Sequence, residues 1–463
     1  MSLVVRLAVV AWAWGKLPPV ADGFYYHRLA TRLADGHGYT WLWPDGAVTY
    51  AAHYPVGYPA ALALLYRAFG PSPELGMLLN AMVGALGVLA VHRLLVPFRR
   101  RRVAWLGAGL VALHPGLVLY TPAIMTEGVM ASLLAIAVWA AASARRARAP
   151  KRRWLLLALV GLLLGGATLV RPQSILLAPL LGLWIGARSL RGALTSGAVV
   201  TALALALCAP WTMRNCERMG RCALVSVNGG WNLLIGTDPD GRGAFAPLKV
   251  PDECREVFDE AEKDRCFERA AWTRIAAEPG PWLALAPRKL GVTFNYCGAA
   301  GWYLSEAGPA ARAEEAKVAI GVVETIYQRL ALLLALAAAL PPGRVRRRLR
   351  TLRIPTDRAA LRRAAQLGLI AVGAVFALLE PGWVAYVALA AALALRRPSL
   401  LRSSAVYAGT AAVLVTLMLT HALFFGAGRY SLVAFPIICA LAAVGARTLN
   451  RVAGSARGPA PRG

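Results

Sequence analysis

The chain has 463 residues, 58% of them apolar and only 16% charged, with a mean hydropathy of +0.53. Soluble globular domains carry roughly 25% charged residues, so this composition excludes a soluble protein and leaves an integral membrane protein. The 51 Lys and Arg against 23 Asp and Glu leave a net charge of +28, but the basic residues stand in short blocks between apolar runs. That pattern does not suggest nucleic acid as the partner.

About twenty apolar residues cross the ~30 Å hydrocarbon layer as a helix, because a helix satisfies its own backbone polar groups there. Such runs recur almost end to end, near residues 2–18, 76–96, 103–121, 128–144, 154–170, 173–187, 193–211, 316–340, 364–380, 382–396, 403–424 and 431–449. The fold class expected is therefore all-α and polytopic, with about twelve transmembrane helices, amphipathic external helices and a small extracytoplasmic domain. The runs at 173–187 and 382–396 are short. Three units follow: an N-terminal transmembrane module, 1–211, holding a first external loop, 19–75; an extracytoplasmic domain, 212–315; and a C-terminal transmembrane module, 316–463.

Basic blocks occupy every second loop: Arg99 to Arg102, Arg145 to Arg153, Arg188 and Arg191, Arg344 to Arg363, Arg396 to Arg402, and the tail from Arg447. By the positive-inside rule these loops are cytoplasmic, both termini are cytoplasmic, and residues 19–75 and 212–315 lie outside. Of the acidic residues only Asp357 falls in a cytoplasmic loop. Met1 to Pro19 has no A-x-A-like cleavage site and reads as the first span, although Arg6 is uncomfortable inside it. Five of the seven cysteines fall in the second external segment, where disulfides are permitted; Cys216 with Cys222 and Cys254 with Cys266 are the nearest pairings.

In the first external segment, residues 22–35 place Tyr25, Leu29, Arg32 and Leu33 at helical spacing, an amphipathic pattern suited to the headgroup layer. Asp22 reads as the cap of that helix. A second helix is expected from Pro59 to Gly70. In the second segment, residues 251–277 are charged and helical in pattern. Asp238-Pro239-Asp240-Gly241 resembles a metal-binding D-x-D but is also ordinary turn chemistry, the reading favoured here. No His/Cys cluster has zinc-site spacing.

Ionisable groups at membrane depth are costly and point to function. On the outer side they are Asp22, His53, His114, Glu127, Arg171, His421 and Arg429. The surrounding motifs run in order: Phe24-Tyr25-Tyr26, Asp35-Gly36-His37-Gly38-Tyr39, Tyr54-Pro55-Val56-Gly57-Tyr58-Pro59, Leu79-Asn80-Ala81, His114-Pro115-Gly116, Met125-Thr126-Glu127, Leu169-Val170-Arg171-Pro172, Pro210-Trp211-Thr212-Met213-Arg214-Asn215, Ser226-Val227-Asn228-Gly229-Gly230, and His421 through Tyr430. In this order they resemble the C-type membrane glycosyltransferases, on the branch of the protein O-mannosyltransferases and the aminoarabinose transferases of lipid A.

The resemblance implies an inverting glycosyltransferase that moves a sugar from a polyprenyl-phosphate donor to an acceptor hydroxyl, on a glycan, lipid or protein, at the outer membrane face. It puts Asp22 at the position of the catalytic general base. Arg429, Arg171 and His53 become candidates for the donor phosphate, and Tyr25, Tyr54, Glu127 and Tyr430 for the substrates. It implies no organic cofactor, and the first loop lacks a close acid pair, so no metal is expected. The sequence departs from the family pattern at Gly23, where many relatives carry a second acid, and around His53-Tyr54-Pro55-Val56, where a charged residue and two prolines are usual. The Ala, Arg and Gly richness suggests a bacterial inner membrane. The rival reading is a multi-span transporter or lipid flippase, but the two halves lack the matched, broken spans such proteins tend to show.

Overall fold

The computed structural model describes residues 1–98, 101–238, 240–308, 314–340, 358–395 and 404–456, with side chains to Arg451. Arg99, Arg100, Pro239, Asp357, the stretch 344–357 and the block 396–402 lie outside the described residues. The N-terminal part contains α1 (Ser2–Ala13), α2 (Asp22–Ala34), β1 (Thr40–Leu42), β2 (Val48–Tyr50), α3 (Gly57–Phe69), α4 (Pro73–Leu95), α5 (Arg101–Ala112), α6 (Pro115–Leu119), α7 (Glu127–Arg146), α8 (Pro150–Val170), α9 (Leu177–Gly186) and α10 (Leu190–Met219). The external segment that follows holds α11 (Gly229–Gly236), α12 (Glu260–Ala277), α13 (Pro279–Ala284), α14 (Ala286–Phe294) and α15 (Ala299–Ala307). The C-terminal part holds α16 (Glu314–Ala338), α17 (Arg358–Leu378), α18 (Trp383–Leu395), α19 (Ala405–Leu423) and α20 (Phe435–Ala456).

The chain is a polytopic all-α membrane protein. Each of the twelve apolar runs carries a helix, and 8 described helices are long and apolar enough to cross a bilayer unaided. The remaining runs hold shorter helices: α1, α5 with α6, α9, and α18. The third run breaks because Pro115 lacks an N–H and pushes His114 out of helical geometry. Proline also starts α4 and α8, where its missing N–H costs nothing. Gly220 ends α10 in the left-handed conformation, at φ +57°, so that helix continues past residue 211 to Met219.

Two spans form the centre of the bundle: 72% of the apolar window of α7 and 78% of that over Gly428–Arg451 are buried. Small residues allow this. Ser132 on α7 packs against Gly87 of α4, and Val138 against Gly409 of α19; a Cβ on either glycine would come within 2.8 Å of its neighbour. These two central spans carry Glu127 and Arg429 at the same end.

The external parts add detail. The loop between α2 and α3 folds as a hairpin with Thr40 opposite Tyr50 and Leu42 opposite Val48. The second external segment has its own small core, with Leu233, Leu234, Phe267, Ala271 and Ile275 around the Cys254–Cys266 disulfide. Cys216 is bonded to Cys222, and Cys208, Cys297 and Cys439 are buried free thiols. Asp238 accepts the Asp240 N–H at 3.0 Å, the turn the residue types favour, and Asp240 pairs with Lys249 in the open.

Candidate active site

Asp22 is not a cap. The residue before the helix is Ala21, and Asp22 is the first helical residue, with its carboxylate turned away from the helix's own N–H groups. Its Oδ2 accepts from Arg429 Nη2 at 2.7 Å and its Oδ1 from the Tyr54 hydroxyl at 3.4 Å. Ala21 sits at φ +49°, ψ −133°, a conformation that costs a β-carbon-bearing residue on the order of 1–3 kcal/mol and clusters at functional sites.

Arg429 also approaches Glu127, with Nε 3.3 Å from Oε1. Glu127 in turn binds Arg171, whose Nε donates to Thr126 Oγ1 at 2.9 Å. The result is an alternating series of charges, Asp22, Arg429, Glu127 and Arg171, drawn from the ends of four separate elements. Exposure differs among its members: Asp22 is 31% exposed, Arg429 19%, Glu127 0% and Arg171 14%. Glu127 is thus the buried counter-charge for two guanidinium groups, and Asp22 is the most exposed member. Both guanidinium carbons lie over the Tyr430 ring, at 5.0 and 5.3 Å, while His421 stacks on the same ring at 4.5 Å.

Beside Asp22 the aromatic residues form a continuous wall. Tyr25 stacks on Tyr54 at 5.1 Å, Tyr26 meets Tyr54 edge-on, and Tyr25 keeps 42% of its surface exposed. His53 packs edge-on against Tyr54 and against Trp231 of α11. Burial lowers the His53 imidazole to about 4, against the pull of Asp22. In the resting site the imidazole is therefore neutral, and an anion placed beside it would favour its protonated form.

The ordered motifs serve as fasteners of this site. Tyr39 donates to the Tyr54 carbonyl at 2.9 Å; Arg214 donates to the carbonyls of Ala51 and Tyr39 at 2.8 and 2.9 Å. Asn80 accepts from Tyr58 and donates to the carbonyls of Thr121 and Ala123, holding the chain just before Glu127. His114 accepts the Leu117 N–H as the cap of α6, a helix-end role away from the charged series.

Sequence reasoning missed two contributors. Glu260, the first residue of α12, accepts from Trp41 Nε1 at 2.7 Å and from the Ala52 and His53 N–H groups at 2.6 Å, tying the external domain to the first loop. Burial pushes its carboxyl up, and the three donors pull it back. Tyr303 donates nothing to Asp22, but its hydroxyl accepts the Ile124 N–H at 3.2 Å and lies against Gly23. Gly23 itself is enclosed: a Cβ there would stand 2.7 Å from the Ile124 carbonyl oxygen. The second acid of the family pattern has no room in this chain.

This geometry defines a class, a polytopic helical membrane protein with one charged site at the common end of its central spans. Comparison with known proteins agrees with the resemblance read from the motifs. Residues 53–213 match the family model for dolichyl-phosphate-mannose-protein mannosyltransferase, and the chain resembles the O-mannosyltransferase and aminoarabinose-transferase branch of the C-type glycosyltransferases. No curated protein sequence matches it. Among solved structures it is similar to an oligosaccharyltransferase of Archaeoglobus fulgidus tethered with an acceptor peptide, at 14% identity and a TM-score of 0.47, over 98% of this chain and 50% of that one. It is also similar to ArnT from Cupriavidus metallidurans bound to undecaprenyl phosphate, at 15% identity and a TM-score of 0.39, over 100% of this chain and 80% of that one. The chain thus spans about half the length of the archaeal protein.

Proposed function

We propose that the protein is an inverting glycosyltransferase that moves a sugar from a polyprenyl-phosphate donor to an acceptor hydroxyl at the outer face of a membrane, in bacteria the inner membrane. The observation that carries this reading is the Asp22–Arg429 pair at 2.7 Å, which joins a reachable carboxylate to a cation at the mouth of the bundle. The Asp22 carboxylate takes the proton of the acceptor hydroxyl as that oxygen bonds to the anomeric carbon. The bond from that carbon to the phosphate oxygen breaks on the opposite side, and polyprenyl phosphate departs with the electron pair. Arg429 and Arg171 stabilise the departing charge. Tyr25, Tyr54 and Tyr430 supply ring faces for the sugar, Glu127 holds the two cations in place, and neutral His53 offers a hydrogen bond.

The resting pair has a geometric consequence. A donor phosphate arriving at Arg429 competes for that guanidinium and frees Asp22 Oδ2 to accept from the acceptor hydroxyl.

The positive-inside rule supports the outward orientation, since the Arg145 to Arg153 loop lies at the opposite ends of α7 and α8 from Glu127 and Arg171. We further propose that the reaction needs no metal. Both acids of the site are engaged by arginine, and among the described residues there is no cluster of three His, Cys, Asp or Glu able to hold an ion.

The test is a proteoliposome assay that follows transfer of labelled sugar from a panel of polyprenyl-phosphate donors to lipid, glycan and peptide acceptors. Wild-type protein transfers label from at least one donor, and Asp22→Asn, matched for insertion and thermal melting, loses about 10²-fold or more. An Asn variant of undiminished rate removes Asp22 from the chemistry. Movement of intact donor across the bilayer without sugar transfer would instead favour a flippase.

A further inference from the structure

At the opposite end of the bundle from Asp22, the ends of α4, α7, α9 and α20 and the start of α19 line a half-open cavity of about 630 Å³. Five arginines line it: Arg145 and Arg146 at the end of α7, Arg188 beyond α9, and Arg447 and Arg451 on α20. No acidic side chain is among its described lining residues. The rest of the wall is largely apolar, with Pro97, Phe98 and Trp184 its accessible members.

Some of these arginines have local tasks. Arg145 donates to the carbonyls of Trp184 and Ile185, satisfying the end of α9, and lies over the Trp184 ring at 4.8 Å. Arg188 donates to the Arg145 carbonyl at 3.2 Å, and Arg447 to that of Phe98 at 3.1 Å. Arg146, Arg188 and Arg451 are exposed.

Arginines that only set topology can spread into the headgroup layer, each with its own solvation, and need no shared cavity. Here five cations from three segments surround one space whose volume falls in the ~300–1,000 Å³ range of small-molecule sites. Five positive side chains with no acid among the described lining favour an anion, and the apolar wall favours an anion that carries hydrocarbon. Basic pockets between transmembrane helices on the cytoplasmic side bind phospholipid headgroups by this combination. We propose that this cavity binds the phosphate headgroup of an anionic glycerophospholipid, with acyl chain against Pro97, Phe98 and Trp184. The site is separate from the glycosyl-transfer site and does not depend on its assignment.

The experiment is native mass spectrometry of the full chain, released from micelles containing equal amounts of phosphatidylglycerol and phosphatidylcholine. Wild type retains the anionic lipid over the zwitterionic one by about 10-fold. The double variant Arg146→Gln with Arg451→Gln loses that preference. Arg148→Gln with Arg152→Gln, which removes the same charge outside the cavity lining, keeps it. Equal retention of both lipids by wild type, a preference that survives the cavity variant, or one lost in the control pair overturns the proposal. Displacement of the lipid by millimolar inorganic phosphate does so too, because it assigns the cavity to a free anion. Should the cavity variant fail to fold, thermal melting of wild type decides: phosphatidylglycerol raises Tm above its value in phosphatidylcholine, and no difference between the two overturns the site.

Discussion

Asp22 Oδ2 and Arg429 Nη2 stand 2.7 Å apart, although 407 positions of chain separate the two residues. The contact closes the site: α2 enters from the first external loop, and Arg429 from the turn leading into the last span. Opening the pair therefore acts on function more than on folding. Arg429→Lys keeps a cation but not the planar fork that spans Asp22 and Glu127 together. It is expected to lower transfer by about 10- to 100-fold with little change in melting, if removal of one charge-assisted contact in the transition state is the dominant effect. A variant at wild-type rate would show that no forked cation is needed.

Glu127 and Asp22 are both carboxylates at span ends, and their burial separates their roles. Removing one member of a buried ion pair costs about 3–5 kcal/mol, because the partner is left as an uncompensated charge. Glu127→Gln leaves two guanidinium groups in that state and is expected to lower the melting temperature strongly in detergent. Asp22→Asn, at the exposed end of the series, is expected to change it little. Equal melting of the two variants would contradict the roles assigned from the difference in burial between the two acids.

How much of this was legible beforehand depends on the kind of relation. The twelve apolar runs and the outer-end position of Glu127, Arg171 and Arg429 follow from hydrophobic length and the alternation of basic loops, both local signals. Which helix ends meet does not, since the Asp22–Arg429 contact depends on packing across the whole chain. Asp22 read as a cap because Asp before an amphipathic run normally is one; the positive φ of Ala21, which begins the helix one residue early, has no signature in an alanine. Glu260 was hidden among the acids of α12, with nothing in its neighbours to mark the one that reaches the first loop. Gly23 was visible as a departure from the family pattern, but its cause, the Ile124 carbonyl, lies on another element.

That enclosure of Gly23 yields its own prediction. A methyl group at this position would meet the Ile124 carbonyl oxygen at 2.7 Å, with the Tyr303 hydroxyl at 3.2 Å. The nearest atom is backbone and cannot rotate away, so α2 must shift. Gly23→Ala is expected to cost about 1–3 kcal/mol and to displace Asp22 from Arg429, lowering transfer more than a distant destabilising change of equal size. Restoring the family's second acid with Gly23→Asp is expected to be worse, not better. A Gly23→Asp protein with normal melting and raised activity would refute the steric account.

His53 gives a pH dependence with a defined sign. Its imidazole is lowered to about 4 by burial, against an ordinary value near 6.5. The unfolded chain therefore binds this proton more readily than the folded one. The stability that His53 contributes by being neutral is fully present above pH 6.5, and it is lost as pH falls through that value toward 4. His53→Gln, a neutral polar replacement, is expected to flatten this slope between pH 6.5 and 4, read as melting temperature against pH. An unchanged slope would place the titration elsewhere.

Glu260 tests whether the external domain positions the catalytic loop. Its carboxylate accepts three donors from the loop, two of them the N–H groups of Ala52 and His53, immediately before Tyr54, which donates to Asp22. Hydrogen bonds to a charged acceptor contribute about 1.5–3 kcal/mol each, so Glu260→Ala is expected to release the loop while α12 remains held by the Cys254–Cys266 disulfide and its own core. Limited proteolysis would then cut within residues 40–56 faster than in wild type, and transfer would fall because Tyr54 no longer fixes Asp22. Glu260→Gln can still accept from Trp41 or from the backbone, so it should keep part of both properties. If the loop in Glu260→Ala stays as resistant as in wild type while transfer is lost, Glu260 acts on the substrate directly, and its role as an anchor is wrong.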